Sequence, residues 1–170
     1  MVELAKWVDL KFSFDYPVGK FPALIERLRG TSIRLEDFVK ELTTNQLTKK
    51  ENEKWSIQEH VGHLIDLEAL LGSRINDFES NVEVLTPADM SNAKTYAANY
   101  NTANITNLLN EFKTIRLSHI EKLEKYNSSD VAKTALHPRL NKPMRLVDLA
   151  YFFAEHDDHH LAIMRRLINI

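Results

Sequence analysis

Residues 151–163 read Tyr151-Phe152-Phe153-Ala154-Glu155-His156-Asp157-Asp158-His159-His160-Leu161-Ala162-Ile163. His156 and His160 are four apart, which on a helix puts them one turn apart on one face, with Cβ atoms about 5–6 Å apart. Leu146, Leu149, Phe153, His156, His160, Ile163 and Leu167 step by 3, 4, 3, 4, 3, 4, an unbroken heptad-type stripe. Both histidines therefore stand where a bundle helix carries Leu or Ile, facing inward from the last helix of the chain. Two neutral imidazoles so placed are either a satisfied core pair or two-thirds of a metal site.

Composition narrows the setting. A chain of 170 residues is read as one domain spanning 1–170, long enough for one sizeable core. Only 4 Gly and 5 Pro leave few turns and long elements, favouring helices over a many-stranded sheet. Net charge is −2 and no basic run carries interleaved aromatics, so nucleic-acid binding is not expected. With 0 Cys, any metal must be held by His and carboxylates. Glu3, Lys6 and Asp9 interrupt the first ten residues, so no signal peptide is read there. No apolar run approaches a membrane span, and a cytoplasmic location is expected by default.

Working outward, residues 1–18 read as an extended arm whose Phe12, Phe14 and Tyr16 pack on the bundle end. A first helix is predicted from Phe21 to Leu42, with stripe Phe21, Leu24, Leu28, Thr31, Leu35, Phe38 and Leu42, and with Pro22 suited to its first turn. A polar connection covers 43–55. Ser56 and Glu59 form a capping box that opens a second helix from Ile57 to Phe78. Its apolar face is Ile57, Val61, Leu64, Leu71, Ile75 and Phe78, and Glu68 falls on the same stripe. Residues 80–98 are too long for a tight turn and suit a crossover along the bundle. The third helix is predicted from Thr102 to Tyr126, with His119 on its apolar face. An irregular stretch over 127–143 follows, and the last helix runs from Met144 to Ile168. The expected fold is all-α: a four-helix bundle with a long crossover between the second and third helices.

Seven histidines occur in the chain. His159 lies off the stripe and reads as solvated, His137 sits in a loop before Pro138, and a lone His119 on an apolar face reads as a hydrogen-bonded core residue. A third metal ligand should come from the second helix, where His60 and His63 are available. Helical-wheel geometry alone puts His60 nearer the apolar centre.

The stretch Trp55-Ser56-Ile57-Gln58-Glu59-His60-Val61-Gly62-His63-Leu64-Ile65-Asp66, with Arg74 beyond it, resembles the second-helix signature of the DinB/YfiT-like metal-dependent superfamily. In that pattern a His-Leu pair carries a metal ligand, and it maps onto His63-Leu64 rather than His60. The family's last-helix pattern, His, three residues, His, then an apolar pair, maps onto His156 and His160. His137-Pro138 and the arm with Tyr16-Pro17 also look like the family. The resemblance implies a four-helix bundle, often a homodimer, binding one divalent ion, nickel or zinc before iron or manganese. The resemblance implies activity with low-molecular-weight thiols, as S-transferases or thiol-dependent isomerases, on electrophilic substrates.

A three-histidine site suits Lewis-acid chemistry, because neutral imidazoles leave the ion its charge and open positions. Di-iron chemistry is disfavoured: neither Glu59 nor Glu155 has a His three residues on. His-Glu-x-x-His is absent, so zincin chemistry has no support. Glu59, Glu155 or Asp157 could orient a ligand imidazole, although Asp157 and Asp158 also read as a solvated face. Arg74 is a candidate for an anionic substrate, with a surface arginine as the plainer reading. The functional expectation is a metal-dependent transferase or hydrolase acting with a small thiol. The alternative is a non-catalytic metal-binding or dimerisation bundle.

Overall fold

A computed structural model describes residues 2–168. Four long helices dominate it: α1 (Phe21–Val39), α3 (Ile57–Glu79), α5 (Ile105–Leu123) and α7 (Leu146–Ile168). Three short helices lie between them: α2 (Thr44–Thr48), α4 (Ala93–Ala97) and α6 (Ser128–Val131). Strands β1 (Thr134–His137) and β2 (Lys142–Arg145) form an antiparallel hairpin leading into α7.

In the bundle, α1 packs on α5 and α7, and α3 packs on the same two, so α1 and α3 lie diagonally. Residues 80–104 form the expected long connection between the second and third long helices, and they carry α4 and a 3-10 turn at Tyr100–Thr102. One half of the interior is built on Leu24, Leu28, Leu71, Ile75, Leu149 and Phe153. The other is built on Leu35, Val61, Leu64, Phe112 and Met164. Among the described residues, no helix is long and apolar enough to cross a membrane.

The first, third and last long helices differ from expectation at their boundaries. The first long helix stops at Val39, not Leu42. Thr43 instead opens a capping box, its hydroxyl accepting the Gln46 N–H while the Gln46 side chain takes the Thr43 N–H, and this starts α2 inside the supposed polar connection. The third long helix spans Ile105–Leu123, shorter at both ends than expected; at its start Asn104 caps it, accepting from the N–H groups of Thr106 and Asn107. The irregular stretch over 127–143 holds α6 and most of the hairpin. Thr134 pairs with Arg145 and His137 with Lys142, around a turn with left-handed Asn141 at φ 49. Met144 and Arg145 are thereby strand residues, and the last helix begins at Leu146.

The amino-terminal arm packs its aromatics as expected. Phe12 is buried 4.9 Å from Phe152, and Tyr16 lies 4.7 Å from Tyr151. The crossover is tied to the hairpin, with the Leu85 N–H donating to the Leu136 carbonyl (3.0 Å) and the Leu136 N–H to the Glu83 carbonyl (2.8 Å).

Candidate metal centre

The capping box that opens α3 determines which of its side chains face α7. Ser56 Oγ accepts the Glu59 N–H (3.1 Å), and Glu59 Oε2 accepts the Ser56 N–H (2.8 Å). Glu59 also pairs with Lys50 (3.0 Å), so this carboxylate is spent on the helix start. His60 and His63, one turn in, are both buried. Trp55, just before the cap, packs its ring 4.6 Å from His63 and 5.5 Å from His60.

From α7, His156 and His160 point toward the same place. One ring nitrogen from each of His63, His156 and His160 falls within 4.8 Å of the others, and all three residues are buried. The His156 and His160 Nε2 atoms are 3.2 Å apart.

Two of the rings are held by their other nitrogen. His63 Nδ1 lies 3.1 Å from Thr95 Oγ1, whose own proton goes to Asp66 Oδ2 (2.8 Å). The hydroxyl must therefore accept from His63, which leaves the His63 Nε2 lone pair free. Asp66 is fixed further by the Tyr100 hydroxyl (2.7 Å) and Lys94 (3.0 Å). Tyr100 comes so close to α3 that a Cβ on Gly62 would stand 2.1 Å from its ring, so glycine beside His63 is a steric requirement. His160 Nδ1 lies 2.8 Å from His60 Nδ1, leaving His160 Nε2 for the cluster. His156 Nδ1 is buried with no hydrogen-bond partner among the described residues.

Burial drives these imidazoles toward their neutral form. It pushes His63 down to about 4 and His60 down to about 3, and it holds His156 and His160 well below the ordinary histidine value. Neutral rings offer lone pairs, and buried lone pairs that converge without a donor cost free energy unless an electropositive partner meets them. The donor set therefore fits a divalent cation.

Behind the histidines lies an ion cluster whose members sit on α3, α5 and α7. Arg116 Nη2 donates to Glu68 (2.6 Å) and Arg116 Nη1 to Asp157 (2.6 Å), while Asp157 also accepts from Thr31 (2.8 Å) on α1. All three ionic side chains are about 2% exposed or less. Asp157 is thus a buried structural group rather than part of a solvated face. Asp158 pairs with Arg27 and Arg34.

The histidines open onto a pocket of about 480 Å³. Arg74 lines it and is 1% exposed, so the surface reading fails: its Nε donates to the Thr86 carbonyl (3.0 Å) on the crossover folded over it. His137 and His159 line the pocket as well; His137 is a buried strand residue, and His159 is half-buried against Trp7 (5.6 Å). Glu155 pairs with Arg27 (2.7 Å), outside the pocket wall. His119 bonds the Glu68 carbonyl through Nε2 (3.0 Å), as a core histidine does. Sequence reasoning did not find Thr95, Tyr100 or Arg139. They lie on a five-residue helix, a 3-10 turn and a hairpin turn, too short for periodicity to mark which way they face.

None of the curated proteins matches this chain. Among solved structures, the chain is similar to YfiT from Bacillus subtilis, described as a probable metal-dependent hydrolase with an unusual four-helix bundle topology. The TM-score is 0.81 at 18% identity, covering 93% of this chain and 91% of that one. It is also similar to the mycothiol-dependent maleylpyruvate isomerase, with a TM-score of 0.65 at 10% identity, covering 93% of this chain and 69% of the other. These likenesses confirm the fold class, a four-helix bundle. The family model for the DinB superfamily matches residues 27–164, and this chain belongs to that superfamily.

Proposed function

We propose that the protein binds one divalent ion through His63, His156 and His160 and acts as a metal-dependent hydrolase or as a transferase using a low-molecular-weight thiol. The observation that carries this reading is the meeting of three buried imidazole nitrogens within 4.8 Å at the wall of a 480 Å³ pocket. The two structural neighbours support it, one described as a probable metal-dependent hydrolase and the other as a mycothiol-dependent isomerase. An all-imidazole donor set suits nickel, zinc or iron, and the family resemblance favours nickel or zinc before iron or manganese.

When bound, the ion supplies Lewis acidity toward a thiol or water at its open positions. The chain's own residues do the rest. Asp66, through Thr95, keeps the His63 proton on Nδ1, and His60 meets Nδ1 of His160, so both rings present Nε2 without reorganising. Trp7, Trp55 and Phe152 wall the pocket with apolar surface, which excludes water and strengthens every charge interaction inside it.

Calorimetric titration of the metal-free protein with nickel and with zinc tests the proposal. One ion per chain, with a water that exchanges with added thiol in the relaxation rate of the nickel form, is expected. No binding above that of a chain lacking all three histidines would leave only a non-catalytic bundle.

A further inference from the structure

The three-histidine cluster accounts for part of the pocket lining and leaves other polar groups on it unexplained. His137, on β1, is 2% exposed and lines the pocket. Its Nδ1 accepts the Leu140 N–H (3.2 Å), so the ring proton sits on Nε2. That Nε2–H is buried and finds no acceptor among the described residues. Arg139, two residues on and also lining the pocket, buries Nη2 in the same condition. Arg74, on α3, reaches the pocket wall with only its Nε committed, to the Thr86 carbonyl.

Buried donors without acceptors are costly, and two of them beside a third, cationic group is not a core arrangement. Nor is the positive charge neutralised. Neither Arg74 nor Arg139 forms an ion pair with a carboxylate among the described residues. Asp77 raises the Arg74 pKa by its charge, yet burial and the nearby Arg139 still bring it down to about 10. Asp77 Oδ2 is itself taken by the Thr86 N–H (2.6 Å). Asp89, an acid on the pocket wall, is exposed and accepts from Ser91 N–H (2.9 Å), Ser91 Oγ (2.6 Å) and Ala93 N–H (2.9 Å). The same wall carries apolar surface from Leu67, Leu70, Met90 and Phe152.

We infer that Arg74, His137 and Arg139 form a carboxylate-binding subsite, so that the pocket takes a small molecule with an anionic head and an apolar body. A carboxylate accepts from the Arg139 and Arg74 guanidiniums and from His137 Nε2–H, satisfying the two orphaned donors at once. The inference rests on the proposed function for what happens at the histidine end, but the subsite itself needs no metal.

The chain's two tryptophans, Trp7 and Trp55, both line this pocket, so intrinsic fluorescence reports its occupancy. Metal-free protein is titrated with 4-phenylbutyrate and with its uncharged isostere 4-phenylbutanamide. The acid is expected to bind about tenfold or more tightly, the value of one or two charge-assisted hydrogen bonds. Arg139→Gln should erase the preference and Arg139→Lys should restore part of it, with both variants folded by circular dichroism because Arg139 is only half-buried. Equal binding of acid and amide, binding of neither, or a preference unchanged in Arg139→Gln would each overturn the subsite. Nickel titration of the same samples separates the two readings: nickel bound without acid preference removes the subsite alone, and acid preference without nickel removes the metal reading alone.

Discussion

His60 and His160 bring their Nδ1 atoms to 2.8 Å across the α3–α7 contact. One ring must donate and the other accept. With the proton on His160 Nδ1, that ring turns its Nε2 lone pair to the cluster and His60 becomes its support rather than a ligand. His60→Ala should therefore still bind one metal ion per chain, with affinity lowered roughly 10–100-fold as for other residues that orient a ligand. His63→Ala should lose the ion. Calorimetry on the two variants decides it, and the reverse result would make His60 the ligand.

His160→Ala should abolish metal binding while leaving the helical bundle intact. The imidazole is buried, and its removal takes a contact from one nitrogen of His60 and one of His156, but α7 keeps Leu149, Phe153 and Met164 in the core. Elemental analysis should show no bound metal beside an unchanged far-ultraviolet circular dichroism spectrum. Unchanged stoichiometry would remove His160 from the site.

Arg116 bridges two buried carboxylates, Glu68 and Asp157. Burial opposes its charge, but the two acids outweigh that and raise its pKa. Glu68 is itself raised, burial winning over the pull of Arg116. Arg116→Met leaves both acids without a counter-charge and should cost about 3–5 kcal/mol of stability. Urea unfolding measures it, and a loss below about 1 kcal/mol would mean the acids find other partners.

The metal-free protein should lose stability on mild acidification. Folded His60 titrates at about 3 and His63 and His137 at about 4, each lowered first by burial, against 6.5 for an ordinary histidine. Below pH 6.5 the unfolded chain takes up protons that the folded chain refuses, so unfolding gains ground until the folded values are reached. Above 6.5 the effect vanishes. The urea midpoint should fall between about pH 7.5 and about pH 5, and less steeply in His60→Leu. A flat midpoint over that range would show the rings are more solvated than their burial indicates.

Much of this was legible in one dimension. The stripe from Leu146 to Leu167 placed His156 and His160 inward, and the Ser56–Glu59 box located the start of α3 to the residue. The choice between His60 and His63 was not legible from the wheel, because both are buried and a wheel carries no information about what lies across the interface. Arg74 was misjudged for a related reason. Its own helix does not bury it; the crossover does, through Thr86. Glu59 and Glu155 looked like candidates beside the histidines, but a cap and Arg27 claim them.

Local rules therefore determined the four helices, their inward faces and the chemical type of the site, since periodicity and capping depend only on neighbours in the chain. The tertiary structure alone decided which ring nitrogens converge, that Thr95 and Asp66 hold one of them, and that Arg74, His137 and Arg139 share a wall. Those groups are 29 to 100 residues apart from their partners in the chain or lie on different elements, and only the packing of α3 on α7, with the folded crossover and hairpin, brings them within hydrogen-bonding reach or onto one pocket.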